Sequence, residues 1–252
     1  MKLHKHLSYV LIPAHLLLIV MLFFMHIPAM VIPVIICLWI IIGGIGVEIG
    51  LHRILSHRQF CVNVMVERLI YIIGTLGLNG SPLFWRSLHI GYHHAHTDRH
   101  RDYHSPSNGG FLHSYVLYIN KLSNMQLVGC RDELQDKFHI FLHKYYILMI
   151  WAVLILSYII HPLFCFSLLF AMILSYHQTA SVNFLCHSNL VGYVSFITNN
   201  NSRNIRWLSY FTFGLSLHNN HHMHPSYANF AMGVGEYDVG YKLAKILGFK
   251  EI

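Results

Sequence analysis

The sequence predicts an all-α membrane protein with four transmembrane helices, and three observations carry that prediction. The chain of 252 residues is 55% hydrophobic and only 11% charged, whereas roughly a quarter of residues are charged in a soluble domain. Its longest apolar runs come as two closely spaced pairs, each joined by a few residues. With those four runs taken as spans, all 17 Lys and Arg residues, from Lys2 to Lys250, fall on one side of the membrane. The positive-inside rule makes that side cytoplasmic.

The first run follows a basic start, Met1 to His6, and extends to about Phe24. It resembles the opening of a signal peptide, but it is long, lacks a small-residue cleavage site and is followed by a second apolar run, so it reads as a retained span over about 7–24. His26, Ile27 and Pro28 then make a turn. The second span covers about 30–49, with Pro33 near its outer end, where a helix start tolerates proline. The segment from His52 to Lys144 stays on the cytoplasmic side. Within it Leu69 to Leu78 is apolar but too short to cross a bilayer, and it reads as a buried or interface-lying helix. The third and fourth spans, about 146–160 and 163–178, are joined by His161-Pro162, and everything after His187 returns to the first side. With no repeat, low-complexity tract or linker, residues 1–252 read as a single domain.

Composition excludes several classes. The five cysteines form no C-x-x-C pair and are odd in number, which argues against a disulfide framework or a zinc ribbon and for reduced, structural thiols. A net charge of +7 without a basic helix or an aromatic-studded sheet motif gives no case for nucleic acid as a partner.

The 22 histidines are the anomaly, because imidazole is costly in apolar surroundings unless paired or metal-bound. They gather in groups. His52 and His57 lie at the cytoplasmic end of the second span; on a continuous α-helix they diverge by about 140° and so bridge toward two neighbouring metals more easily than they grip one. His89 and His93 are one helical turn apart, with His94 pointing away, and His96, His100, Asp102 and His104 trail behind. His218, His221 and His222 stand at i, i+3 and i+4 of a helix and leave one face together. Asn183 and His187, at i and i+4 where the fourth span emerges, can reach one pocket. So many imidazoles on one side exceed what a tetrahedral zinc site needs.

The pattern H-x4-H, then a histidine and His93-His94, then His218-Asn219-Asn220-His221-His222 resembles the membrane-bound fatty acid desaturases, particularly the acyl-CoA branch of the stearoyl-CoA-like, delta-9 type. The similarity extends to Gly80 through Trp85, His104-Ser105-Pro106, Val182-Asn183, Ser202-Arg203-Asn204, Trp207, Thr212-Phe213-Gly214 and Gly235-Glu236-Tyr237-Asp238, in order over roughly 45–245. What the resemblance implies is a four-span helical fold with a cytoplasmic helical cap and two iron ions. The implied ligands are His52, His57, His89, His93, His94, His187, His218, His221 and His222, with Asn183 acting through a water. No catalytic residue beyond the metal ligands is implied. Taking hydrogen from an unactivated methylene needs oxygen activated on metals that change oxidation state, which zinc does not do.

Two departures stand out. The family's second box is usually H-x-x-H-H, whereas three residues separate His89 from His93-His94 here, leaving His89 or His96 as the ligand of that turn. Leu215 stands where the family often carries a glutamate, and His100 and Tyr103 alter the acidic run after the second box.

The expected activity is therefore an O2-dependent fatty acyl desaturase inserting a cis double bond at carbon 9 of an acyl-CoA or acyl-lipid. Two electrons per turnover would come from a separate ferredoxin or small cytochrome with its reductase, since no G-x-G-x-x-G or C-x-x-C-H motif is present. The alternatives are a di-iron hydroxylase on the same scaffold and a membrane metal-binding or transport protein; transporters place ionisable ligands near the midplane, unlike these boxes. His4, His6, His15, His26, His113, His139, His143 and His161 are expected at the surface, at interfaces or in turns, and His177 close to Asn183. Trp85 and Trp207 are expected to pack or line a tunnel. Arg53, Arg58 and Arg86 are expected at the membrane edge, where they either meet a phosphate or need no ligand at all.

Overall fold

Hydrocarbon offers no partner for backbone N–H and C=O groups, so a long apolar run is stable only when its hydrogen bonds close within the segment. The long runs of this chain are helical accordingly. The computed structural model describes residues 7–252; Lys2, His4, Lys5 and His6 of the basic start lie outside the described residues.

The helices in order are α1 (Ser8–Phe24), α2 (Val31–Ser56), α3 (Val64–Thr75), α4 (Pro82–Arg86), which continues as a wider turn over Ser87–His94, and α5 (Gly110–Tyr115). They are followed by α6 (Lys137–Ile160), α7 (Pro162–Leu185), α8 (Arg206–Phe211), α9 (His218–Met223) and α10 (Val239–Ile246). By length and composition α2, α6 and α7 can cross a membrane, and α1 is a shorter apolar helix. A short antiparallel pair, β1 (Phe60–Cys61) with β2 (Lys250–Glu251), ties the C-terminal end back to the exit of α2.

The helices outrun the apolar runs that foretold them. α2 continues past residue 49 to Ser56, α6 begins at Lys137 rather than near 146, and α7 continues past 178 to Leu185. Hydropathy marks the greasy part of a helix, whereas caps mark its ends. The Asp136 side chain accepts from Phe138 N at 2.8 Å to start α6, well upstream of its apolar stretch. Those polar extensions carry the interesting residues: His52 and Arg53 on α2, and Asn183 on α7.

α3 lies against α2 through glycines. A methyl on Gly46 would stand 2.6 Å from Gly74 N, and one on Gly74 would stand 2.5 Å from Gly46 O, so the two backbones touch. The opposite face of α3 leaves Val64, Met65 and Leu69 exposed, as an interface-lying helix would. The largest apolar core joins α1, α2, α6 and α7.

Several histidines sit elsewhere than expected. His113 and His139 are buried rather than superficial, and His143 Nδ1 lies 2.7 Å from Ser81 Oγ. His177 does not reach the other histidine groups. Its Nε2 meets His15 Nε2 at 3.2 Å and its Nδ1 accepts from the Tyr115 hydroxyl at 3.1 Å, tying α1 and the end of α5 to α7. Trp207 is 66% exposed. All five cysteines are free.

Candidate metal centre

Two helices widen where they carry histidines. Over Ile40–Ser56 and Ser87–His94 the backbone closes i→i+5 hydrogen bonds, and α2 ends with His57 N donating to His52 O at 3.1 Å. Such a helix has about 4.4 residues per turn, so residues five apart stand roughly 50° apart instead of opposed. His52 and His57 therefore face one place, with ring centroids 4.8 Å apart, contrary to the α-helical expectation that they diverge. The same widening explains the second box. His89 and His94, also five apart, meet Nε2 to Nε2 at 3.1 Å, so His94 does not point away and the extra residue of the spacing is absorbed.

The rings converge as two groups of four. His52, His57, His89 and His221 form one, and His93, His187, His218 and His222 form the other; within each, the ligand atoms all lie within 4.8 Å of one another. His94 spans them. Its Nε2 lies 3.1 Å from that of His89 and 3.0 Å from that of His221, and its ring stacks on His222. α9 does not offer its three rings to one point but divides them, His221 to the first group and His218 with His222 to the second. His96 is half-buried and belongs to neither group. Asn183 lines a cavity of about 30 Å³ beside His89 and His104, together with Trp85, Leu88 and Tyr118.

The partners of the outward nitrogens decide what the inward ones present. His52 Nδ1 faces Glu48 Oε1 at 3.3 Å, His93 Nδ1 faces Asp102 Oδ2 at 2.9 Å, His187 Nδ1 faces Asp98 Oδ2 at 3.2 Å, and His218 Nδ1 faces the Leu215 carbonyl at 3.1 Å. An ionised carboxylate or a carbonyl only accepts, so each Nδ1 carries the proton and each Nε2 turns a lone pair inward. His222 Nε2 sits 3.0 Å from those of both His93 and His218, and His187 Nε2 is buried without a partner. Buried lone pairs that converge on one another are what a bound cation resolves, so the residues fit metal ions in both groups.

Electrostatics agree. Burial, and then mutual repulsion among the rings, pushes His57, His89, His93, His94, His218, His221 and His222 well below the ordinary imidazole range. They are neutral ligands at neutral pH. His104, buried against Asp102, is pushed down to about 3. Burial raises Asp102, whereas for Asp98 the opposing hydrogen bonds, led by that from His187, outweigh burial and hold it below the usual carboxylate range.

These shifts set a pH dependence for the metal-free protein. Rings whose folded pKa is depressed bind fewer protons folded than unfolded, so their contribution is complete above about pH 6.5 and is lost below it, at about 1.4 kcal/mol per ring per pH unit. Between pH 7.5 and 5.5 the chelator-treated protein should melt at least about 10 °C lower, as followed by circular dichroism. A flat melting temperature over that range contradicts the assignment.

The outer shell holds what sequence reasoning missed. Glu48 is fully buried one turn before His52, and it also accepts from Arg53 Nε at 3.0 Å. Arg53 is itself fully buried. It donates to Asp238 at 2.9 and 3.0 Å and to the Ala228 carbonyl, and it lies over the Phe230 ring at 4.0 Å. Neither it nor Arg86, which is buried against Glu133 and the Leu55 carbonyl, is free to meet a phosphate; of the three, Arg58 alone is exposed, and it is paired with Asp132. The available signal was a single acid inside an apolar run, which is a functional hint by default. Asn219 and Asn220 are fully buried. Their amides both donate to Asn204 Oδ1, which caps α9, and their side chains reach the Phe196 and Phe230 carbonyls. Leu215 is buried in a small apolar cluster, so the outward contact of His218 is made by backbone.

The family profile described as Fatty acid desaturase matches residues 27–232. The chain is 32% identical over 216 residues to Delta-9 acyl-lipid desaturase 1 of Arabidopsis thaliana, covering 82% of this chain and 68% of that one. It is 34% identical over 206 residues to the sn-2 palmitoyl-lipid 9-desaturase of Nostoc sp. (strain 36), covering 78% and 71%. To the sn-1 stearoyl-lipid 9-desaturase of Synechocystis sp. it is 32% identical over 215 residues, covering 83% and 66%. With two groups of neutral, inward-facing imidazoles at the ends of apolar helices, and with this similarity over most of its length, the chain belongs to the fatty acid desaturase family.

Proposed function

We propose that the chain is a single-domain, O2-dependent desaturase that places a cis double bond at carbon 9 of an acyl chain carried by a membrane lipid. The observation that carries this reading is the pair of four-ring groups; the named activities of the relatives, all position-9 acyl-lipid enzymes, support the regiochemistry and the carrier. The ligands would be His52, His57, His89, His93, His94, His187, His218, His221 and His222, with Asn183 acting through a water. Two iron ions held there would supply the oxidising power drawn from O2 that a saturated chain requires.

The balance is one –CH2–CH2– unit, O2, two electrons and two protons giving –CH=CH– and two waters. The protein's share is positioning. Glu48, Asp98, Asp102 and the Leu215 carbonyl hold four rings in one tautomer and orientation. Trp85, Leu88 and Tyr118 give the cavity beside His89 an apolar wall against which a methylene can lie. Burial excludes bulk water from the rings. In the membrane, α1, α2, α6 and α7 would form four spans, with the Lys- and Arg-free turns at His26 and His161 outside and the rings on the cytoplasmic face. The electrons would come from a separate carrier.

Expression in a host lacking position-9 activity, followed by gas chromatography of fatty acid methyl esters and mapping of the double bond, tests this. A new position-9 monoene in the lipid fraction is the expected result. Hydroxy acids would assign the hydroxylase chemistry instead, and no lipid change from a protein that retains metal would end the enzymatic reading.

A further inference from the structure

All ten carboxylate side chains of the chain are engaged inside the fold. Glu48, Asp98, Asp102 and Asp238 belong to the buried shell, and the other six are tied to Arg, Lys, Tyr or Asn side chains. Among the described residues only Arg53, Arg58, Arg68, Arg86 and Lys245 pair with a carboxylate, so the other described Lys and Arg side chains carry positive charge without an acidic partner.

Two of these follow the second histidine box. Arg99 and Arg101 are exposed on the loop after His93-His94 and make no ion pair or side-chain hydrogen bond among the described residues. Arg203, on the loop beside it, bonds only neutral acceptors, Asn189 Oδ1 at 3.1 Å and the Gly192 carbonyl at 3.3 Å. Asn201 stitches the loops together: its N donates to Asp98 Oδ2 at 2.7 Å and its Nδ2 to Ser107 Oγ at 3.4 Å. The same Asp98 oxygen accepts from His187 Nδ1 at 3.2 Å, so one carboxylate separates this surface from the second group of rings. The second loop is also fastened to α9, where Asn219 Oδ1 accepts from Ser195 N and Phe196 N, both at 2.8 Å. Beside that anchor Ile197 is 96% exposed. Three arginines without an acidic partner and one exposed aliphatic side chain, on two loops joined by hydrogen bonds to each other and to α9, suit a protein partner. The apolar cavity lies elsewhere, against His89 between α4 and α7.

We propose that Arg99, Arg101, Arg203 and Ile197 form the docking surface for a small acidic one-electron protein carrier. The inference rests on the desaturase reading and names the partner of that site. Uncompensated positive charge steers an acidic carrier to this face and fixes its register, and the Asp98–His187 hydrogen bond gives its electrons a short bonded route to the rings.

The test uses the purified, metal-loaded full chain with three reduced donors: a plant-type [2Fe–2S] ferredoxin, a small acidic haem-b cytochrome, and photoreduced deazaflavin as a non-protein donor. With the better protein carrier, the Arg99→Glu/Arg101→Glu double variant should need at least tenfold more carrier for half-maximal rate, with a flattened salt dependence. Arg99→Lys/Arg101→Lys should behave as wild type. The deazaflavin-supported rate and the KM for the acyl substrate should not change in either variant. An unchanged carrier requirement overturns the proposal, as does wild type turning over with deazaflavin but with neither carrier. A raised acyl-substrate KM with unaltered carrier dependence also overturns it and assigns the patch to a lipid headgroup. No monoene from wild type with any donor is the failure of the desaturase reading itself.

Discussion

Replacing His221 by alanine should lower monoene formation by at least about 10³-fold and strip metal from the protein. That exceeds the 10- to 100-fold expected when an outer partner of a metal ligand is lost. The size follows from position. His221 Nε2 stands 3.2 Å from that of His52 and 3.0 Å from that of His94, so one ring is shared between the first group and the ring that spans to the second. His96→Ala is the matched control, half-buried on the same histidine-rich segment but in neither group, and it should keep both metal and rate within about twofold. Metal content by elemental analysis and monoene by gas chromatography decide. Full turnover by His221→Ala, or loss of metal in His96→Ala, would show that the ligands are wrongly assigned.

Arg53→Met should cost about 3–5 kcal/mol of stability, the usual consequence of removing one partner from a fully buried ion pair. Glu48 and Asp238 would be left facing each other's charge with the cation gone. The lost contacts reach further than charge. Arg53 links α2 to the Ala228 carbonyl and to Asp238 at the start of α10, and Glu48 orients His52. Thermal unfolding of the metal-free protein measures the loss. Adding Glu48→Gln and Asp238→Asn to Arg53→Met should recover about half of it, because neutral amides no longer carry buried uncompensated charge. If the triple variant is no better than the single one, packing rather than charge is what Arg53 supplies.

The sequence displayed the apolar helices, their pairing and the order of the histidine boxes, because hydropathy and residue type are local properties. It did not display how the boxes meet. The angle between His52 and His57 depends on whether α2 closes its hydrogen bonds at four or five residues, and a spacing of five fits no face of a 3.6-residue repeat. The same change made His94 the neighbour of His89. Glu48 and Arg53 were hidden differently: they pair with each other five residues apart, but the second acid on Arg53, Asp238, lies almost two hundred positions away, and only the packing of α10 against α2 brings it there. Leu215 could be recognised as a departure, but that its own carbonyl takes over the outward contact of His218 is a matter of backbone geometry.

The carboxylates behind the rings are not shared evenly. Glu48, the acid behind the first group, already spends its charge on Arg53. Behind the second group stand Asp98 and Asp102, with no arginine or lysine on either among the described residues. Two sets of four imidazoles that look alike are thus backed by unequal negative potential, and the second would hold a dication the more tightly. Chelation should then proceed in two stages, with a half-loaded protein between them, rather than emptying both positions at once.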